Sequence, residues 1–339
     1  MEKTYYVASW FQDEGKEGLY RLRYDADMKK LASKQIITGV TRTSYFAREN
    51  DILYVLSEMP MAIPDSGYIT SYMIEDDNLV QVCRSELFDS GVTHLCVSHD
   101  KKHLYASGYG TGTLWIFDID ENGMIFNQRK AFTNVGSGPN KERQTSSHLH
   151  FTSPTPDGDY LLTCDLGADE ILISKVVDNG DVERCSTVKV TPGYGPRHLC
   201  FSKDNRYVYV ICELVYHILV YAYSDGKLEL ENDIKLEPEM PKCSGIKLSN
   251  DGKTLFTGHR ENDSECIEAF DISNPTEIRK IDAFEGTIHC RDFSVFADDY
   301  LAAVNQFGDS IQFLKFEDNK LKDAGRIEDI KIPVAIIEI

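Results

Sequence analysis

A sevenfold internal repeat constrains this chain more than any other feature of its sequence. Each copy centres on a short apolar stretch such as YYVAS, LYVLS or VYVIC, and successive centres lie 46 to 57 residues apart. A tight turn usually precedes the stretch, and an alternating segment that often ends in Asp-Gly or Asn-Gly follows it. Alternation bounded by such turns is typical of β-hairpins. The centres are Tyr6, Tyr54, Tyr105, Leu162, Tyr209, Phe256 and Ala302.

The length of the repeat predicts the fold. A unit of this size with about four short strands and no amphipathic helix is typical of one blade of a β-propeller. The sequence therefore predicts an all-β, seven-bladed propeller that forms a single domain over residues 1–339. The alternatives are an all-β sandwich or two domains, but seven copies in register favour the propeller.

The two ends of the chain predict how the ring closes. The C-terminal segment KIPVAIIEI resembles the first segment of a blade without its second segment. The N-terminus begins with a second segment, residues 5–7, and lacks a first. We therefore expect the C-terminal strand to complete the N-terminal blade, which would remove the edges that invite aggregation.

The net charge indicates which partners to expect, and the cysteine content indicates the cellular location. The net charge of −19 disfavours nucleic acid and anionic membrane, because both are bound through Lys and Arg contacts to phosphates. The partner we expect is a small anionic molecule that meets locally placed Arg or His. The sequence contains no apolar run of about 18 residues, and because MEKTYYVASWF has no basic segment followed by an apolar one, we do not expect a secretory signal. Nine scattered cysteines without a C-x-x-C motif predict a reducing, cytoplasmic location.

The repeat register predicts where ionisable side chains meet. In a propeller blade the start of the first strand and the end of the second strand lie on the same face. Ionisable groups at both positions indicate a polar-ligand site at the mouth of the channel. The predicted first-strand starts are Arg42, Thr93, His150, Arg197, Ser244 and Arg291, and the predicted second-strand ends are Trp10, Glu58, Tyr109, Leu166, Glu213, Arg260 and Gln306.

The segment SSHLHF places His148 and His150 on one face of a strand. Three interpretations stay open: a structural histidine, acid–base or oxyanion work by His150, and a metal pair. No third ligand is evident, so we predict no metal site. If a metal were needed, these two histidines would be where to look.

Two further side chains have both a functional and a structural interpretation. Arg197 follows a rigid Gly-Pro turn in GYGPRH and could clamp a carboxylate or phosphate, or simply be solvated. Glu213 ends the apolar run VYVICE, where a buried carboxylate calls for a cationic neighbour. It is either a general base or the ion-pair partner of an arginine, with Arg260, Arg197 and Arg291 as candidates.

At these residues the chain resembles a known family. The stretches 136–171 and 192–214 closely resemble the lactonase family of seven-bladed propellers, which includes propeller-type 6-phosphogluconolactonases and the fungal carboxy-cis,cis-muconate cyclase. Residues 257–272 resemble the family's Arg-containing fifth-repeat stretch, and 291–316 resemble its Arg-x-Phe…Asn-Gln stretch. The first 130 residues match only in pattern. Cys290 replaces the Pro that the family has before Arg291, which predicts a less rigid turn there.

The resemblance implies a set of site residues. Its catalytic positions fall on His150, Arg197, Glu213 and Arg260, which the register had already singled out. We also expect five further residues to contact the substrate: His148, Arg291, Asn305, Gln306 and Glu58.

The resemblance also implies a reaction, the hydrolysis of 6-phospho-D-glucono-1,5-lactone to 6-phosphogluconate without a cofactor or metal. Glu213 or His150 would activate water, while Arg197 and Arg260 would hold the phosphate or the oxyanion. The sequence lacks a G-x-S-x-G elbow, so an acyl-enzyme is not expected. A muconate-type lactonizing enzyme and a lactonase for another sugar acid remain alternatives. So does a non-catalytic binding propeller, although the Gly-His…Trp-Asp signature is missing.

Overall fold

The computed structural model describes residues 2–11, 18–58, 67–89, 91–237, 242–260 and 266–339. Within these ranges the regular structure consists of 28 β-strands and two three-residue 3₁₀ turns, Asp178–Gly180 and Ala297–Asp299. Among the described residues no helix is long and apolar enough to cross a membrane. The predicted all-β class is confirmed.

The strands are numbered in their order along the chain. The first eleven are β1 (Glu2–Ser9), β2 (Leu19–Asp25), β3 (Lys30–Ile37), β4 (Thr43–Glu49), β5 (Ile52–Ser57), β6 (Gly67–Glu75), β7 (Asn78–Leu87), β8 (Val92–Val97), β9 (His103–Gly108), β10 (Thr113–Ile119) and β11 (Ile125–Thr133). The next eight are β12 (Leu149–Pro154), β13 (Tyr160–Asp165), β14 (Glu170–Val176), β15 (Val182–Lys189), β16 (Pro196–Phe201), β17 (Tyr207–Cys212), β18 (His217–Ser224) and β19 (Lys227–Lys235). The last nine are β20 (Cys243–Leu248), β21 (Thr254–His259), β22 (Cys266–Asp271), β23 (Arg279–Glu285), β24 (Cys290–Val295), β25 (Tyr300–Asn305), β26 (Ser310–Glu317), β27 (Lys320–Ile327) and β28 (Pro333–Glu338).

These strands form seven four-stranded sheets, as the repeat predicts. Six sheets each consist of four consecutive strands, from β4–β7 through β24–β27. The remaining sheet has the order β28-β1-β2-β3, so the last strand of the chain pairs with the first. The pairing is antiparallel, with Tyr6 opposite Ile337 and Ala8 opposite Ala335. The predicted completion of the N-terminal blade by the C-terminal strand is therefore confirmed.

The predicted register also agrees with the strand boundaries. All seven positions predicted as second-strand ends directly follow the last residue of a second strand, as Trp10 follows β1 and Arg260 follows β21. The six predicted first-strand starts lie within two residues of the start of their strands: Arg42 directly precedes β4, and His150 is the second residue of β12.

The described chain divides into two compact units. Unit 1 contains residues 1–44, 199–222 and 230–339, and unit 2 contains 45–198 and 223–229. Each unit has its own cores of alternating strand residues, because successive side chains of a strand point to opposite faces. Tyr5, Tyr24 and Phe313 pack together in unit 1, and Leu56, Leu104 and Phe117 do so in unit 2. A single domain over 1–339 stays a prediction.

Candidate functional site

A buried ion pair joins two of the predicted site residues in unit 1. Arg260 Nη2 lies 2.8 Å from Glu213 Oε2, and the two side chains are 7% and 1% exposed. Each follows the end of a second strand, which is why the repeat register brings them together. The guanidinium favours the ionised form of the carboxylate. Arg260 Nε–H is also buried and makes no hydrogen bond within the described residues, so the guanidinium retains an unused donor.

Two more cations of unit 1 face one aromatic ring. The guanidinium carbon of Arg291 lies 4.9 Å from the centre of the Trp10 indole, and that of Arg42 lies 5.5 Å from it. Both distances are within the range of cation–π contacts. Trp10 is a second-strand end, whereas Arg42 and Arg291 are first-strand starts. The two sets of positions predicted from the repeat therefore meet within this unit.

Three positive side chains lie near His289, although the chain as a whole is acidic. Burial lowers the pKa of His289 to about 4, and the positive charges of Arg260, Arg291 and Lys242 lower it further than burial alone would. At neutral pH His289 is therefore uncharged. Its ring packs against Phe307 with 4.1 Å between the ring centres, and Phe307 is 71% exposed.

Asn305 and Gln306 lie beside this group, at the end of β25. The Asn305 side chain accepts a hydrogen bond from Ile288 N at 3.0 Å and donates one to Ser310 Oγ at 3.1 Å. The main-chain N–H of Gln306 donates to the carbonyl of His289 at 3.2 Å. Both side chains are buried, and these hydrogen bonds hold the residues that directly precede β24, among them His289. Their contact with a substrate stays a prediction.

Unit 2 contains the predicted histidines. His148 stacks on Tyr109, with 4.3 Å between ring centres and 8° between ring planes. Its Nδ1–H donates to the Tyr109 carbonyl at 2.6 Å, which leaves Nε2 as the acceptor of the neutral ring. Arg143 Nη2 donates to the Tyr109 hydroxyl at 3.2 Å. Tyr109, another second-strand end, thus fixes the tautomer and orientation of His148.

His150 lies deeper in the same unit, 5% exposed. Its ring meets His198 edge-on at 5.2 Å and Tyr109 edge-on at 5.7 Å between centres. Arg197, which is 2% exposed, donates from Nη1 to His198 Nε2 at 3.1 Å. Burial contradicts the interpretation of Arg197 as a solvated surface residue, because a guanidinium this buried must have acceptors.

Two aspartates hold the loops that present these side chains. Asp169 accepts hydrogen bonds from Gly193 N at 2.7 Å and Gly195 N at 2.8 Å, in the loop that precedes Arg197. Both glycines have positive φ, +91° and +63°, a conformation that other residues rarely adopt. Asp165 accepts from the main-chain N–H of His148 at 2.8 Å. These hydrogen bonds and the two glycines fix the backbone that leads into Arg197 and the backbone at His148.

The structure places most of the predicted residues in one of two groups. Unit 1 brings together Glu213 with Arg260 and Arg291 with Trp10, whereas unit 2 brings His148 and His150 to Tyr109. Glu58 is half-buried and directly precedes residues 59–66, which lie outside the described residues, so its role stays a prediction. The predictions missed His198 and His289. Their position in the repeat could have indicated both, because His198 directly follows Arg197 and His289 lies two residues before Arg291.

Comparisons with known proteins agree with this architecture. A family model described as "Lactonase, 7-bladed beta-propeller" matches residues 4–337. An uncharacterized protein of Staphylococcus epidermidis is 28% identical over 319 residues, which cover 90% of each chain. A Bacteroides fragilis protein provisionally named a 6-phosphogluconolactonase has a TM-score of 0.89 at 24% identity, covering 100% of this chain and 98% of its own. The periplasmic gluconolactonase of Pseudomonas aeruginosa has a TM-score of 0.90 at 21% identity, covering 100% and 99%. At these identities the two structures support the fold alone.

Proposed function

The chain belongs to the lactonase family of seven-bladed β-propellers, and we propose that it hydrolyses 6-phospho-D-glucono-1,5-lactone to 6-phosphogluconate. The family description supports an enzyme that opens lactones, a carboxylic ester hydrolase. The phosphorylated substrate is the finer part of the proposal. It rests on the positive residues of the candidate site.

The observation that carries the proposal is the buried Glu213–Arg260 pair in its positive environment. The chain has a net charge of −19, so its long-range field repels an anionic substrate. Affinity must then come from short-range contacts with arginines. Unit 1 supplies Arg260 beside Glu213, and it supplies Arg42 and Arg291 at the Trp10 ring. Guanidinium groups match the oxygens of phosphates and carboxylates.

In the proposed reaction the Glu213 carboxylate acts as the general base. It takes a proton from a water molecule as the water oxygen bonds to the lactone carbonyl carbon. Arg260 holds the substrate, either at its phosphate or at the carbonyl oxygen on which negative charge develops. As the bond between that carbon and the ring oxygen breaks, Glu213 returns the proton to the ring oxygen, which leaves as a hydroxyl group. The products are the ring-opened acid and the regenerated carboxylate.

His150 and Arg197 form the second part of the proposal. We propose Arg197 as an anion contact and His150 as the alternative acid–base group. Their burial and their contacts with His198 support preorganised side chains rather than mobile surface groups. Glu213 and His150 are thus the two candidates for the general base, and the Glu213→Gln variant distinguishes them.

We also propose a cytoplasmic location, in which the product enters the pentose phosphate pathway. All nine cysteines lie in the described residues, and none forms a disulfide. This supports a reducing compartment. Fractionation of cells with a compartment marker tests the location independently of the reaction.

An assay of the purified protein against a panel of lactones tests the function. We expect hydrolysis of 6-phosphogluconolactone above its spontaneous rate, with unphosphorylated gluconolactone a poor substrate. Equal turnover of both would replace the phosphate-specific proposal with a general sugar lactonase. Turnover of a muconolactone alone would favour the muconate-type alternative. No turnover, together with no thermal shift on addition of 6-phosphogluconate, would favour a non-catalytic binding propeller.

A further inference from the structure

Three side chains with metal-binding atoms lie together in unit 1, on the sheet β20–β23. His259 ends β21 and Cys266 begins β22. The register pairs Gly258 with Ile267 and Thr257 with Glu268, so His259 lies opposite Cys266, and Glu268 lies two residues further on the same face. One nitrogen of His259, the Cys266 sulfur and one Glu268 oxygen all lie within 4.8 Å of one another.

This group is buried and contains a carboxylate oxygen without a hydrogen bond. His259, Cys266 and Glu268 are 1%, 3% and 0% exposed. Lys280 pairs with Glu268 Oε1. Glu268 Oε2 lies 3.2 Å from His259 Nε2, yet it makes no hydrogen bond among the described residues. A buried carboxylate oxygen without a hydrogen bond is costly, and a cation bound beside it would offset that cost.

We propose that His259, Cys266 and Glu268 bind one Zn²⁺ ion. An imidazole nitrogen, a thiolate and a carboxylate are the donor types that zinc takes in proteins, at about 2.0–2.3 Å. Ligand atoms around a tetrahedral ion of this size are about 3.5 Å apart, close to the 3.2 Å between His259 Nε2 and Glu268 Oε2. The Cys266 thiol loses its proton to solvent on binding.

The charges and the neighbouring groups suit such an ion. A thiolate and a carboxylate together balance the two positive charges of zinc, and the Lys280 ammonium that pairs with Glu268 Oε1 adds one positive charge at the partly exposed edge of the group. Cys243 Sγ lies 3.8 Å from His259 Nδ1, on the other nitrogen of the ring. With the proton on Nδ1, that N–H donates to the sulfur and holds the orientation of the ring, and Nε2, which lies 3.1 Å from Thr257 Oγ1, exchanges that contact for the metal.

The position of the site indicates a structural role. The ion would join the end of β21 to the start of β22. His259 directly precedes Arg260, the partner of Glu213. A zinc ion there would fix the strand end from which Arg260 projects. This inference is independent of the proposed reaction, because it concerns the stability of the hairpin and can be tested without any substrate.

Metal titration of the chelator-treated protein tests the site. We expect one equivalent of Zn²⁺ to bind and to raise the melting temperature, because a ligand that binds only the folded state stabilises it. We also expect Co²⁺ to give a thiolate-to-cobalt charge-transfer absorption. A wild-type protein that takes up no Zn²⁺, shows no thermal shift and gives no such absorption with Co²⁺ overturns the proposal.

Variants assign the ligand. Cys266→Ala should abolish the cobalt–thiolate absorption and the zinc-dependent thermal shift, whereas Cys164→Ala should keep both. Cys164 is a matched control, because it is equally buried in another sheet. Full absorption in Cys266→Ala would overturn the assignment. If Cys266→Ala does not fold, Glu268→Gln is the second variant, and its unchanged zinc uptake and thermal shift would equally overturn it.

Discussion

Arg260 Nη2 and Glu213 Oε2 are 2.8 Å apart, and each residue directly follows the second strand of its sheet. Both side chains are almost fully buried. Removing one partner of such a pair typically costs about 3–5 kcal/mol, because the other charge stays buried. The pair therefore stabilises the fold and also supplies the base and the cation of the proposed reaction. An experiment on either residue must separate these two effects.

Glu213→Gln removes the proposed base and keeps its shape. We expect turnover of 6-phosphogluconolactone, measured above spontaneous hydrolysis, to fall by about 10²–10⁴-fold. Binding of the product 6-phosphogluconate should be largely kept. Wild-type turnover would leave Glu213 as a structural ion-pair partner and would favour His150 as the base.

Glu170→Gln is the matched control for this variant. Glu170 is another buried carboxylate and pairs with Lys189 and with Arg184. It should lose stability without losing turnover per folded molecule. If turnover falls in both variants in proportion to the decrease in melting temperature, the loss of turnover in Glu213→Gln comes from lost stability and not from the loss of a base.

Much of the fold could be predicted because the repeat is regular. The apolar centres fix the strand boundaries so well that Trp10, Glu213 and Arg260 each directly follow a second strand, as expected. The terminal segments also predict the pairing of β28 with β1, because the N-terminal blade lacks a first strand and the C-terminal segment resembles one. Periodicity of this kind is visible in a sequence, since it depends on residue type and spacing alone.

The environment of the site could be predicted only in part. The spacing brings Glu213 and Arg260 into register but does not show that they contact each other directly. It also gave no role to His289, because the burial and the positive charges of Arg260, Arg291 and Lys242 that lower its pKa come together only in the folded chain. The group of His259, Cys266 and Glu268 was missed because the three residues, although all within the stretch 257–272, do not have the spacing of a known metal-binding motif. Only strand pairing brings them together.

Deleting residues 332–339 should destabilise the protein by several kcal/mol. The deletion removes the β28–β1 ladder and the buried side chains of Val334 and Ile336, each worth about 1.5–3 kcal/mol. Removal of Ile339 alone is the control, because it takes away one main-chain hydrogen bond to Thr4. Thermal unfolding measures both. A truncated protein that melts within a degree or two of the full-length chain would contradict a stabilising role of the closing strand.

His289 should make stability fall in mild acid. Burial and the neighbouring arginines lower its pKa from 6.5 to about 4, so the unfolded chain binds a proton between these values that the folded chain does not. Its contribution to stability is therefore present above pH 6.5 and is lost as the pH falls toward 4. His289→Gln should flatten the dependence of the unfolding free energy on pH in this window. An identical slope in the variant and the wild type would show that other groups cause it.

Arg260→Met and Arg197→Met test what the arginines hold. A charge-assisted contact is worth roughly 1.5–3 kcal/mol, or about ten- to a hundredfold in affinity. Each variant should raise the KM for 6-phosphogluconolactone by that factor. Arg129→Met is the control, because Arg129 pairs with Asp118 and Asp181 in a partly exposed network. If the arginines hold the phosphate, the weak activity on unphosphorylated gluconolactone should change little. Parallel losses on both lactones would instead assign the arginines to the carbonyl oxygen that both substrates share.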